Sequence, residues 1–331
     1  LSRKNLGCLR EIFGDGGFRK YRWPFARGIG ITRRVSLRLE MLQVARLAPK
    51  LLGDSADLVR AFLAGQQNAD GGLKDRSGRS DLYYTVFGLE GLLALQAPLP
   101  AERVIPYLES FGAGESLDFV HLCCLIRCWA ALGPNYVAQR GSAWADAVAG
   151  RLEMFRAKDG GFNVLAGSPF GTAYGGFLGG AAYQDLGRLM PDGLRLVQSL
   201  KFLETPDGAW ANERGLKAGA TNSTAAMVTL LLRLGMPVAP AVGDWLLRAA
   251  HREGGFVATP GAPIPDLLST ATALHALAGL ERDFSTIKEP CLDFIDTLWT
   301  NEGGFHGHWG DDSLDCEYTY YGLLALGHLS L

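Results

Sequence analysis

The sequence predicts an all-α fold of six helical hairpins set in two concentric rings, and three observations carry that prediction. A short phrase recurs, an acid followed by two small residues and a large apolar one: Asp70-Gly71-Gly72-Leu73, Asp159-Gly160-Gly161-Phe162, Asp207-Gly208-Ala209-Trp210, Glu253-Gly254-Gly255-Phe256 and Glu302-Gly303-Gly304-Phe305. The first glycines lie at 71, 160, 208, 254 and 303, and the one double-length step spans Phe111-Gly112-Ala113-Gly114-Glu115, a worn copy. A period near this length marks a repeat architecture. Each phrase also sits between two apolar-periodic segments, and the two segments of each pair differ in character.

In chain order, the hairpins pair 55–67 with 80–95, 101–111 with 117–132, 142–157 with 170–186, 192–204 with 221–234, 239–251 with 266–280, and 285–300 with 314–329. Apolar residues recur at helical spacing, as in Leu58 and Phe62 or Leu292, Ile295, Leu298 and Trp299. The first member of each pair carries charges such as Arg60, Arg151, Glu153, Lys201 and Asp293 on one side, so it has a wet face. The second is apolar nearly all round and rich in small residues, as in Phe177-Leu178-Gly179-Gly180-Ala181-Ala182. Such helices are buried on every side and belong to an inner ring. The glycine pair lets the chain reverse from outer to inner helix, because glycine takes positive φ without steric cost. The acid before it is placed to cap backbone N–H groups of the turn.

The 331 residues are 48% hydrophobic, and 32 basic residues stand against 34 acidic ones. That balance gives no reason to expect a nucleic-acid partner. Ten of the basic residues fall in the first 38 positions, beside only Glu11 and Asp15. A basic arm of this kind suits docking on the acidic body or peripheral contact with lipid headgroups. Residues 1–54 are therefore read as a basic lead-in and helix packing on the ring, and 55–331 as the ring itself. No run of eighteen apolar residues lacks a charge, and Arg233 interrupts the best one. Six cysteines without zinc-finger spacing and no charged-then-apolar leader suggest a reduced, cytoplasmic protein.

The acid-Gly-Gly-aromatic turns resemble the β-subunits of protein prenyltransferases and, more widely, squalene and other class II terpene cyclases. So do inner segments such as Asp81-Leu82-Tyr83-Tyr84-Thr85-Val86-Phe87 and Glu317-Tyr318-Thr319-Tyr320-Tyr321. The resemblance covers about residues 55–331. It implies an α/α toroid (an α6/α6 barrel) around an apolar central cavity, an isoprenoid or lipid-like ligand, and a helical α-subunit-like partner. The family's zinc is held by an Asp, a Cys two residues on, and a His. Here the matching positions are Asp266, Leu268 and Tyr318, so zinc is not expected there. The family's diphosphate-binding Arg and Lys fall at Thr259 and Ala262. The Asp-x-Asp-Asp acid of class II cyclases falls in Ala220-Thr221-Asn222-Ser223-Thr224, which has no carboxylate. Lanthionine-type and thioester toroid signatures are absent.

Candidate site residues follow. Arg76 and Arg79, spaced as a guanidinium pair before an inner helix, suit a diphosphate, with Mg²⁺ accompanying it. A looser pair is Arg214 and Lys217. Asp81, Asp266 and Asp315 are the candidate acids or bases. Tyr84, Phe87, Tyr174, Phe177, Tyr318 and Tyr321 are candidates to line an apolar pocket and to stabilise cationic character. His308, Asp315 and Cys316, in the polar cluster of the last repeat, are weak metal candidates, and capping is the plainer role for its carboxylates. His121 and His275 are expected as satisfied core histidines. The leading expectation is a prenyltransferase-like protein holding an isoprenoid chain in the ring. An unconventional terpene cyclase and a non-catalytic lipid- or protein-binding scaffold are the alternatives.

Overall fold

At each Gly-Gly turn the backbone of one repeat is pressed onto the outer helix of the next. The computed structural model describes residues 36–331. The first glycine of every full phrase has positive φ, from +86° at Gly208 to +97° at Gly71. A Cβ at Gly71 would lie 1.9 Å from the Arg103 carbonyl oxygen, and one at Gly254 only 1.8 Å from that of Pro290. Sterics and conformation therefore both demand glycine. The acid caps the turn as expected: Asp70 accepts from Gly72 N at 3.1 Å and Asp159 from Gly161 N at 3.0 Å. The apolar residue that ends each phrase is buried in all five.

Numbered in chain order, the outer helices are α3 (Ser55–Gly65), α5 (Ala101–Glu109), α8 (Gly141–Met154), α10 (Gly193–Lys201), α12 (Pro240–Arg248) and α14 (Lys288–Leu298). The inner helices are α4 (Leu82–Ala94), α6 (Phe119–Leu132), α9 (Ala173–Asp185), α11 (Thr221–Arg233), α13 (Leu267–Gly279) and α15 (Cys316–Leu329). Short helices α2 (Pro49–Leu52) and α7 (Pro134–Gln139) are connectors. Two turns tighten into antiparallel ribbons, β1 (Leu73–Lys74) with β2 (Ser80–Asp81) and β3 (Phe256–Val257) with β4 (Pro265–Asp266), pairing Leu73 with Asp81 and Phe256 with Asp266.

Each inner helix packs on the next, and α15 packs on α4, so the ring closes. The outer layer closes too, since Gly303 lies against the backbone of Leu58 in α3. A device unread in the sequence recurs along the seam. The apolar turn residue donates its N–H to a threonine on the inner helix: Leu73 to Thr85 at 2.9 Å, Trp210 to Thr224 at 3.1 Å, Phe256 to Thr270 at 2.9 Å and Phe305 to Thr319 at 3.4 Å. These buried amides would otherwise lack partners.

The segment before residue 55 contributes α1 (Leu37–Ala45), and α1 stands inside the ring. It touches α4, α9, α11 and α15 at their C-terminal ends. Leu37 N donates to Gln184 Oε1 at 2.9 Å, Arg46 Nε to the Leu93 carbonyl at 3.4 Å, and Glu40 pairs with Arg233. Leu37, Leu42 and Ala45 are buried. The basic lead-in otherwise lies outside the described residues. Its last member, Arg38, is a buried partner of Glu90 at 3.2 Å.

Candidate functional site at the centre of the ring

With α1 closing the C-terminal end of the ring, the open end is the rim formed by the N-termini of the inner helices. The sequence places carboxylates there for a local reason, since Asp81, Asp118, Asp266 and Asp315 are the N-caps of α4, α6, α13 and α15. Their side chains accept from helix amides, Asp266 from Ser269 N at 2.7 Å and Asp315 from Tyr318 N at 2.8 Å. The three acids expected as catalytic groups are thus engaged first in holding helix ends. Burial pushes the Asp266 carboxyl up.

The expected diphosphate clamp is not formed. Arg76 Nη2 donates to Asp311 and Arg76 Nε to Asp315, each at 2.8 Å, and the guanidinium lies 5.3 Å from the Tyr318 ring. The Arg79 side chain is 82% exposed and turns back to Asp75. Arg214 is likewise spent on Asp159, stacked between Phe170 and Phe202. His121, expected in the core, is at the rim, with Nε2 3.1 Å from Asp81 Oδ2 and Nδ1 2.9 Å from Asp118 Oδ2. The hydrogen bond to Asp81 and the Asp118 contacts raise it to about 9, so it is a cation at neutral pH. Asp81, Asp118, Asp266, Asp311, Asp315 and Glu317 gather at this end, where Arg76 and His121 pair with four of them and His308 lies close enough to act on Asp266. The mouth is acidic.

The metal candidates do not converge. Cys316 is buried against Gly88, Asp315 is held by Arg76 and Tyr318 N, and His308 Nδ1 accepts from Gly310 N. Among the described residues no three His, Cys, Asp or Glu side chains gather as a metal site. At the family's zinc position Leu268 and Tyr318 offer no ligand of the expected kind, and Asp266 is bonded to Ser269.

Below the mouth is a cavity of about 100 Å³. Phe87, Tyr174, Phe177 and Tyr321 line it, joined by Tyr83 and Tyr320, while Tyr84 and Tyr318 are not among its lining residues. Phe87 is the hub, 5.0 Å from the Tyr83 ring and 5.4 Å from that of Tyr321. At the junction of mouth and cavity, Tyr83 donates its hydroxyl to Glu317 Oε1 at 2.6 Å. Burial lifts Glu317 to about 7, where a carboxyl exchanges protons at neutral pH. This pair was not singled out in the sequence. Its signal was there, since residue two of the first inner helix and residue two of the last become neighbours only when the ring closes.

Beneath the cavity the floor is charged. Arg127 pairs with Asp185 at 3.1 Å and Arg38 of α1 with Glu90, and Met41 of α1 also lines the space. On the other side of α1, a second cavity of about 160 Å³ is lined by Glu40, Thr229, Arg233 and His275, with His275 Nδ1 3.0 Å from His328 Nε2.

Residues 38–137 and 197–330 match the prenyltransferase alpha-alpha toroid domain. Solved structures agree in fold. A variant of the type II terpene cyclase MstE from Scytonema, in complex with the substrate geranylgeranyl dihydroxybenzoate, is 15% identical with a TM-score of 0.56 over 86% of this chain and 97% of that one. Candida albicans protein geranylgeranyltransferase-I complexed with GGPP is 12% identical, TM-score 0.53, over 88% and 82%. A glycosidase variant is 13% identical, TM-score 0.55, over 87% and 96%. No curated protein matches in sequence. No described helix is long and apolar enough to cross a membrane.

Proposed function

The chain belongs to the prenyltransferase alpha-alpha toroid family, and from that premise we propose that it binds an uncharged isoprenoid-type chain in the ring, with Glu317 and Tyr83 exchanging a proton with the ligand's head. The observation that carries this reading is the Tyr83–Glu317 pair set between an acidic mouth and an aromatic-walled cavity. Apolar walls recover the hydrophobic contribution of an isoprenoid. Ring faces also suit any cationic character that develops on it.

The charge of the mouth selects the head group. A diphosphate would meet the six carboxylates of this rim, and the Arg76 and His121 cations set among them are already paired. It would have to bring a divalent cation such as Mg²⁺ to overcome that field. A neutral alcohol meets no such barrier and offers the proton that a carboxyl near neutrality handles. Protonating an unactivated alkene asks for a far stronger acid than Glu317, so it is less suited to starting a cyclisation.

Size limits the ligand. Tyr83 at the mouth and Glu90 at the floor are seven residues apart on α4, about 10 Å at 1.5 Å per residue. The cavity is also below the roughly 300–1,000 Å³ of pockets for larger ligands. A chain of about two isoprene units spans that depth with side-chain adjustment, whereas a longer one would displace α1. Titration calorimetry with geraniol and with geranyl diphosphate tests the reading. Geraniol is expected to bind, and the diphosphate at least about tenfold more weakly without divalent cation. Absence of geraniol binding, or tighter binding of the diphosphate, would overturn it.

A further inference from the structure

The floor of the cavity is polar in a way the scaffold does not need. Glu90 and Arg127 sit in the middle of otherwise apolar inner helices. Glu90 is 2% exposed and gives only Oε1 to Arg38, while its Oε2 has no hydrogen-bond partner among the described residues. Arg127 gives Nε to Asp185, and its Nη2 is likewise buried without a partner. Both residues line the cavity. A buried polar atom left unbonded is costly, so two of them on residues that line one cavity call for an occupant. The cluster itself is balanced, Arg38 and Arg127 against Glu90 and Asp185, so a charged occupant would add an uncompensated charge. On the two residues that line the cavity the open positions are one acceptor and one donor; Arg38 Nε, 3.9 Å from Asp185 Oδ1, is a third buried atom of the cluster without a hydrogen bond among the described residues and is not on a cavity-lining residue. A hydroxyl answers both, donating to Glu90 Oε2 and accepting from Arg127 Nη2, once the floor side chains part to admit it, because neither atom is exposed to the cavity as it stands.

Resting on the reading above, we infer that the ligand carries a second, uncharged hydroxyl at the end remote from the mouth, and that Glu90 and Arg127 recognise it. The ligand class is then a short terpenoid diol rather than a hydrocarbon tail with a single polar head. An ordered water at the floor would use the same two positions, and the two occupants respond differently to the ligand. A diol replaces the water's bonds, while a mono-alcohol leaves the water in place.

The test compares geraniol with 8-hydroxygeraniol by titration calorimetry on the full chain. The diol is expected to bind about tenfold more tightly to the wild type, as a hydrogen bond to charged partners implies. Glu90→Gln keeps the shape and the Oε1 acceptor but turns the free acceptor into a donor. Arg127→Lys keeps the charge but removes the second planar N–H. Each variant is expected to bring the two ligands to within about twofold of each other, whatever it does to the affinity for geraniol itself. A circular-dichroism spectrum and thermal transition like those of the wild type show that the variant is folded. Equal affinity of the two alcohols for the wild type means that water holds the floor, and the inference falls while the cavity reading stands. A diol preference that survives both substitutions also overturns it. Binding of neither alcohol removes both readings.

Discussion

In the proposed function the proton exchange at the mouth turns on Glu317, because burial sets its titration near neutrality. An apolar ligand entering beside it removes more water and favours the neutral carboxyl still further. Affinity for geraniol should therefore fall as pH rises through about 7, and Glu317→Gln should flatten that dependence, as calorimetry across pH 5.5–8.5 would show. The same group and the buried histidines pull stability in opposite directions. A carboxyl raised from 4.5 to about 7 favours the fold fully below 4.5, and that contribution is lost as pH rises through 7. Burial depresses His275 to about 4 and His328 to about 3, so their contribution is intact above 6.5 and is lost as pH falls toward those values. Denaturant midpoints should thus fall more steeply between pH 6.5 and 4 in Glu317→Gln than in the wild type. A parallel pair of curves would remove the assignment. None of these shifts is visible in the sequence, where Glu317 is one acid among seven polar residues of the last repeat.

At the scale of the element, the sequence is most legible. Helices expected at 55–67, 221–234 and 314–329 are found as Ser55–Gly65, Thr221–Arg233 and Cys316–Leu329. The period of the apolar residues and the glycine phrase each mark the same boundaries independently. What the turns look like inside was less legible. The threonine that accepts from four of the five apolar turn residues lies twelve or fourteen positions downstream, and a spacing that long across a loop signals nothing until the loop is folded. The observed geometry makes a sharp prediction. Thr270→Val keeps the shape but leaves Phe256 N without its buried acceptor, at a cost of roughly 1–3 kcal/mol. Thr272→Val, whose hydroxyl bonds only helix carbonyls at Leu268 and Ser269, should cost less than half as much. Chemical denaturation of the two variants separates a seam bond from an ordinary helix-internal one, and equal losses would deny the seam its role.

At the scale of the whole molecule, ring closure brings together groups that are remote in sequence, and this is why the candidate site was the least legible part. Arg76 looked like a free guanidinium, but closure delivers Asp311 and Asp315 from the last repeat to occupy it. The central helix is the other consequence. A ring of six inner helices leaves an axial space that no hairpin can fill, and the chain puts α1 into one end of it, with no glycine phrase to announce it. Leu42 is 3% exposed and belongs to the same core as the inner helices. If α1 is an integral part of that core, Leu42→Ala costs about 2–5 kcal/mol, as for other buried leucines, because neighbouring helices cannot collapse onto the space it leaves. The loss should appear in a single unfolding transition with an unchanged denaturant slope. A loosely seated α1 behaves differently: the same substitution would cost under about 1 kcal/mol and produce an early partial transition, since the ring would stand without it. The depth available to a ligand depends on which of these holds. An α1 that unfolds only with the ring fixes the floor at Glu90 and Met41 and limits the proposed ligand to short chains, whereas a separable one would open the axis to longer ones.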